Sequence, residues 1–187
     1  MQYILNLKGR GVMKRKSFTL FAALLVTAAL STVTASASGD IVPTMTSNTT
    51  YTGTGYLGGY AYASSEWAFH EAYKAFDDDN STYWSTSSGS YGELHFQLFG
   101  VKKVTSYTLR TSSQDVSHAP KDWTFEGFNL SEGNWVVLDQ VSGYISYPNY
   151  THTRTFPNTK NYDRYRIKIT ANNGAYSTSI AEVQMFE

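Results

Sequence analysis

Glu93-Leu94-His95-Phe96-Gln97-Leu98 alternates polar and apolar residues with a period of two. Successive side chains of an extended chain point to opposite faces, so Leu94, Phe96 and Leu98 share a face that must be buried. His95, of opposite parity, then faces outward or is hydrogen-bonded. Runs of similar length recur outward from this one, at Val104 to Arg110, Trp123 to Phe128, Trp135 to Leu138, Tyr165 to Thr170 and Ile180 to Phe186. Each is bounded by turn-forming residues, and helical periodicity is almost absent. Ala72 to Phe76 is long enough for one helical turn. Several short strands separated by loops predict an all-β fold, two antiparallel sheets packed face to face as a β-sandwich. Trp84, Trp123 and Trp135 lie in or beside these runs and are expected to fill the space between the sheets. The sequence contains no internal repeat.

The N-terminal residues read differently. Lys14, Arg15 and Lys16 precede an apolar stretch from Phe18 to Val33, and Ala35-Ser36-Ala37 supplies small residues of A-x-A type. This is the pattern of a secretory signal peptide, with residues before Met13 as an upstream extension and Ser38 as the mature N-terminus. The stretch is interrupted by Thr19, Thr27, Ser31 and Thr32, which disfavours a membrane span. Residues 1–37 are therefore read as extension and leader, 38–59 as a flexible lead-in whose last part pairs as an edge strand, and 60–187 as the folded domain. All 15 acidic residues lie beyond residue 37, whereas Lys8, Arg10, Lys14, Arg15 and Lys16 precede it, so of 15 basic residues ten remain and the net charge becomes −5. A negative chain without a basic run makes nucleic acid and anionic membranes poor partners. The sequence has no cysteine, so a secreted fold must be held by its core and not by disulfides.

The chemistry-bearing segments are few. Asp77-Asp78-Asp79-Asn80-Ser81-Thr82 gathers hard oxygen ligands suited to calcium, which takes six to eight oxygens in flexible geometry. The run lacks the central Gly and twelfth-position Glu of an EF-hand, so a distant residue would have to complete the shell, and a solvated acidic turn is the other reading. Two loops offer aromatic faces of the kind that stack on sugars: Glu66-Trp67-Ala68-Phe69-His70 and Asn172-Asn173-Gly174-Ala175-Tyr176. Gly-x-Ser-x-Gly, His-Glu-x-x-His and a phosphate-cradling Gly loop are all missing, and no second carboxylate pair stands out, so the expected function is binding and not catalysis.

Four stretches then carry a resemblance. They are Ala72-Tyr73-Lys74-Ala75-Phe76-Asp77 with Ser81-Thr82-Tyr83-Trp84; Gly92-Glu93-Leu94-His95-Phe96; Ala119-Pro120-Lys121-Asp122-Trp123-Thr124-Phe125-Glu126-Gly127; and Tyr165-Arg166-Ile167-Lys168-Ile169 with Ile180-Ala181-Glu182-Val183. In this order the chain resembles a discoidin domain, the coagulation factor 5/8 type C domain, and within it the family-32 carbohydrate-binding modules. The resemblance implies a jelly-roll sandwich of about eight strands, galactose-binding-domain-like, in a secreted, extracellular protein. It implies a structural calcium held by Asp77, Asp79, Thr82 and Glu182, with backbone carbonyls near Lys74 and Ala181. Asp78 stands where many relatives have Gly. Carried over from the galactose-binding members, Arg110 and Tyr176 become ligand contacts, with Asp115 or His118 as a third polar group and Trp67 as a facing wall. Ser85 follows Trp84 where those members place His, which weakens a specific galactose reading. On the residues alone, Arg110 reads equally as a strand-end ion pair with Asp115, and His118 as a surface residue. The expected partner is a glycan or cell-surface carbohydrate; the alternative is a protein-interaction or adhesion domain that presents Trp67 and Phe69.

Overall fold

A computed structural model describes residues 39–53 and 57–187. The expected leader over 1–37, the expected N-terminus at Ser38 and residues 54–56 of the lead-in lie outside the described residues. In chain order the strands are β1 (Thr44–Met45), β2 (Tyr51–Thr52), β3 (Gly59–Ala63), β4 (Trp84–Ser85), β5 (Gly92–Lys102), β6 (Ser106–Thr111), β7 (Pro120–Asn129), β8 (Asn134–Val141), β9 (Thr151–Thr155), β10 (Tyr162–Asn172) and β11 (Ser179–Phe186). Two single 3-10 turns, Ala72–Ala75 and Val116–His118, interrupt the loops. One sheet has the order β3-β5-β10-β7-β8 and the other β4-β11-β6-β9, with β1 and β2 as a separate ribbon. Every pairing is antiparallel. Among the described residues the two sheets of the sandwich thus hold nine strands.

The alternation read in the sequence is the alternation of burial. Leu94, Phe96 and Leu98 of β5 are buried, and Leu94 and Phe96 pair in register with Ile167 and Tyr165 of β10. Across the gap they meet Leu109 of β6 and Val183 and Met185 of β11 within one core. Burying each such side chain stabilises by about 1.5–3 kcal/mol. Aromatic rings fill the centre. Tyr107 of β6 stacks on Phe125 of β7 with centroids 4.4 Å apart, and Phe125 stacks on Tyr165 at 5.5 Å. The polar tips in this layer are satisfied: Trp123 Nε1 donates to the Tyr107 hydroxyl (2.9 Å), which donates to Asp139 (2.9 Å), itself clasped by both ends of the Arg154 guanidinium. Gly127 sits where a Cβ would come within 2.6 Å of the Tyr162 ring, so only glycine lets β7 pass that ring.

Two expectations are corrected. Trp84 and Trp123 are core residues, but Trp135 is not: in β8 Val136 and Leu138 pack against the core, so parity turns Trp135 to the outer face, where the Arg166 guanidinium lies 4.1 Å from its ring. The segment read as a flexible lead-in is, over residues 39–53, part of the fold. Ile41, Val42 and Met45 are buried in the core. Asp40 explains why they stay there, because its carboxylate accepts from the amides of Val42 and Met185 while the Ile41 amide donates to the Met185 carbonyl. The edge strand paired to β5 is Gly59–Ala63, which shares only Gly59 with the lead-in whose last part was expected to supply it.

Candidate functional site

The loops at the end of the sandwich where β11 begins form a hollow of about 260 Å³ lined by Trp67, His70, Ser85, Gln114, Tyr176 and Ser177. Its walls are two rings turned to solvent, Trp67 (46% exposed) and Tyr176 (74% exposed). Trp67 is fixed by its backbone, since its amide donates to the Ser85 carbonyl at 3.0 Å and its carbonyl accepts from His70 at 3.0 Å. The turn from Trp67 to His70 is tight enough to put Phe69 at a φ of 68°, a left-handed conformation that a bulky residue adopts at a cost. Two bonds hold it there: the Phe69 amide donates to Glu71 (3.0 Å), and its carbonyl accepts from the Lys74 ammonium (2.7 Å). Tyr176 is braced from behind by His118, whose ring lies edge-on at 5.3 Å and whose Nδ1 is 3.0 Å from the Ser177 carbonyl. On the floor, the Gln114 side-chain oxygen accepts from Ser179, which leaves its amide nitrogen free of any protein partner among the described residues.

The structure therefore brings together Trp67, His118 and Tyr176 of the expected contacts, and it separates the other two. Asp115 caps the 3-10 turn Val116–His118 by accepting from the Ser117 amide (2.9 Å), a bond that lowers its pKa, and it makes no ion pair with Arg110. Arg110 lies elsewhere because of parity: Tyr107, Leu109 and Thr111 of β6 are buried, so Arg110 points to the outside of the four-stranded sheet. There it donates to Thr151 (3.1 Å) and lines a cleft of about 160 Å³ with Asp78, Asn80, Glu182 and Gln184. Gln114 and Ser177 were not singled out from the sequence, and Ser85 was noted only as standing where the galactose-binding members place His.

Beside that second cleft lies the acidic loop. Asp77 accepts from the Thr82 hydroxyl (2.7 Å) and from the Asp79 amide (3.0 Å), and Asp79 accepts from the amide and hydroxyl of Ser81. The Thr82 hydroxyl also stands 3.3 Å from the Lys74 carbonyl and 3.2 Å from the Asp79 carbonyl. Asp78 takes the turn with a φ of 57°, which Asp tolerates, and its carboxylate is held by the Thr44 hydroxyl, so the loop keeps its shape without glycine. The loop and the turn Ala72–Ala75 cover β11, where a bulge between Ile180 and Glu182 leaves Ala181 unpaired with β6. Glu182 is 6% exposed and its Oε2 has no hydrogen-bond partner. Burial first, then the charges of Asp77, Asp78 and Asp40, push its carboxyl up to about 9. Among the described residues no three acidic or histidine side chains are gathered closely enough to hold a metal ion by themselves. Hydroxyl and carbonyl oxygens at Thr82, Lys74 and Asp79 would have to share in any shell, which suits a hard cation that prefers oxygen.

The family model of the F5/8 type C domain matches residues 60–183. No curated protein sequence matches the chain. Among solved structures, the chain is similar to a family 32 carbohydrate-binding module from C. perfringens NanJ in complex with galactose. The TM-score is 0.61 at 22% identity, over 69% of this chain and 93% of that one. It is also similar to chitosan-binding module 1 of a chitosanase/glucanase from Paenibacillus sp. IK-5 (TM-score 0.60, 18% identity, 79% of this chain and 98% of that one). A third is the family 32 module of Streptococcus pneumoniae EndoD (TM-score 0.61, 14% identity, 79% and 99%). The motif stretches, the nine-stranded sandwich and a family model running through well over half the chain converge: this protein belongs to the F5/8 type C (discoidin) domain family and has the fold of its family 32 carbohydrate-binding modules.

Proposed function

We propose that this protein is a secreted, non-catalytic carbohydrate-binding module that holds a glycan between Trp67 and Tyr176. One observation carries the reading: two solvent-facing rings flank a hollow lined by polar residues, namely Gln114, whose amide nitrogen has no protein partner among the described residues, with Ser85 and Ser177. A pyranose has an apolar face for a ring and hydroxyls at its rim, so rings set around amide and hydroxyl groups match it in kind. Neighbours of the same fold, solved in complex with galactose and with GalNAc-β-1,3-galactose, point the same way. Binding in so open a hollow is weak, with Kd nearer millimolar than nanomolar, because the cost of desolvating hydroxyls offsets most of the attraction between ring and sugar. A structural calcium belongs to the proposal, its ligands drawn from Asp77, Asp79, Thr82, Glu182 and carbonyls at Lys74 and Ala181; the orphaned, buried Oε2 of Glu182 supports it. The ion would neutralise the loop and fasten it to β11, with no part in sugar chemistry.

Adhesion to another protein is the second reading, and Phe69 favours it: a ring 79% exposed and held in a strained turn is an apolar spike ready for a groove. A glycan array probed with the purified protein, with and without calcium, separates the two. Binding to a set of glycans that Tyr176→Ala abolishes supports the module; no glycan binding by the wild type leaves adhesion.

A further inference from the structure

A second hollow, of about 440 Å³, opens beside the first and is lined by Ser64, Tyr91, Glu93, Lys168 and Thr170. The two are close by covalent reach. Ser64 lines one and Trp67 the other, three residues apart, which limits their Cα separation to about 11 Å. On the other flank, the hydroxyl of Thr178, next to Ser177, donates to the carbonyl of Ser90, next to Tyr91 (2.7 Å). The hollows are thus neighbours on the same end of the sandwich, divided by the loop between β4 and β5.

The second hollow has its own ring and its own polar groups. Tyr91 is 61% exposed, and its ring stacks on no other aromatic side chain among the described residues. Lys168 is exposed, with no ion pair or hydrogen bond to its ammonium among the described residues. Glu93 stands opposite Lys168 in the β5–β10 register, and its carboxylate is held by Arg166 (3.0 Å) and His95 (3.2 Å). Ser64 and Thr170 add hydroxyl groups. Because both signs of charge stand at this hollow, a charged sugar would lose to one what it gains from the other, whereas a neutral hexose uses a donor and an acceptor alike.

From this juxtaposition we propose that the hollow at Tyr91 is a second sugar subsite, and that the ligand is a neutral oligosaccharide running from Trp67 and Tyr176 across the dividing loop onto Tyr91. The proposal rests on the glycan reading above and adds the length and charge of the chain. Linking two weak subsites through one ligand raises affinity without any new kind of interaction.

The test is calorimetric titration of the wild type and of Tyr91→Ala with two neutral probe series, β-1,3-linked galactose oligomers and N-acetylated chito-oligosaccharides, each from monomer to tetramer. In the series the protein prefers, the trimer is expected to bind about tenfold more tightly than the monomer, with Tyr91→Ala removing that gain and leaving the monomer Kd unchanged. The Tm of the variant should stay within about 3 °C of wild type, since an exposed loop ring contributes little to stability. An affinity that does not change with chain length, or a gain that survives Tyr91→Ala, overturns the second subsite and leaves the first intact. Failure of every oligomer to bind wild type at millimolar concentration overturns the glycan reading, and this proposal with it.

Discussion

Arg110 and Glu182 face one another across the β6–β11 register, yet they form no ion pair: the Nε of one and the Oε2 of the other are both buried without a partner. A buried carboxylate that no guanidinium pairs, and on which the charges of Asp77, Asp78 and Asp40 also act, favours its protonated form unless another cation reaches it.

Calcium is therefore expected to raise the Tm and chelator to lower it, by an amount that follows mass action: about 2.7 kcal/mol at a hundredfold excess over Kd. Glu182→Gln mimics the protonated acid, so its Tm in chelator should equal or exceed that of wild type, and calcium should no longer shift it. Differential scanning calorimetry of both proteins decides the matter. A wild-type Tm indifferent to chelator and to calcium would sink the metal assignment.

In the glycan hollow, Tyr176→Ala and Trp67→Ala should each weaken binding at least about tenfold, the loss of a stacking ring, while the Tm moves by no more than about 3 °C. Arg110→Ala should leave glycan affinity within about twofold of wild type, because Arg110 lies in the other cleft. Titration calorimetry with the best array hit reads all three; a tenfold loss on Arg110→Ala alone would move the site to the four-stranded sheet.

Trp123→Ala should do the reverse, costing about 3–5 kcal/mol of stability, because it empties core volume and removes a donor from the hydroxyl of Tyr107. Urea denaturation measures it. A loss under about 1 kcal/mol would place Trp123 outside the core.

Much of this was legible in the sequence for a simple reason: strand parity is a local property. Leu94, Phe96 and Leu98 announce their face within six residues, and the aromatic loops at Trp67 and Tyr176 stand apart from any strand pattern. What could not be read depends on register between distant strands. Parity within β6 gives Arg110 an outer face, but which cleft that face overlooks is set by its pairing with β11 and β9. Trp135 looked like core because its run is short and mostly apolar, so neither parity was marked. The lead-in misled because Thr and Ser composition reads as flexible, while two hydrogen bonds accepted by Asp40 help to seat Ile41, Val42 and Met45 in the core.

His95 sets a pH dependence. It is buried between Tyr62, stacked at 4.4 Å, and Trp135, with Glu93, Arg166 and Glu126 around it on the same outer face. Burial pushes its pKa down to about 4, against the pull of Glu93. An unfolded histidine titrates near 6.5, so between about 6.5 and 4 the unfolded chain binds more protons than the folded one, and stability is lost as pH falls through that window. Tm measured from pH 7 to 4 should fall less steeply in His95→Gln than in wild type. Parallel curves would mean that His95 protonates freely in the fold.

The bonds between residues 40–41 and Met185 fix where the two ends of the domain stand. Met185 is six residues along β11 from Ser179, roughly 20 Å from the loops that carry Trp67 and Tyr176. Asp40 and Glu187 accordingly emerge together, at the pole opposite the rings. A segment joined before Asp40 or after Glu187 would leave the domain from this pole, with the rings facing away from it.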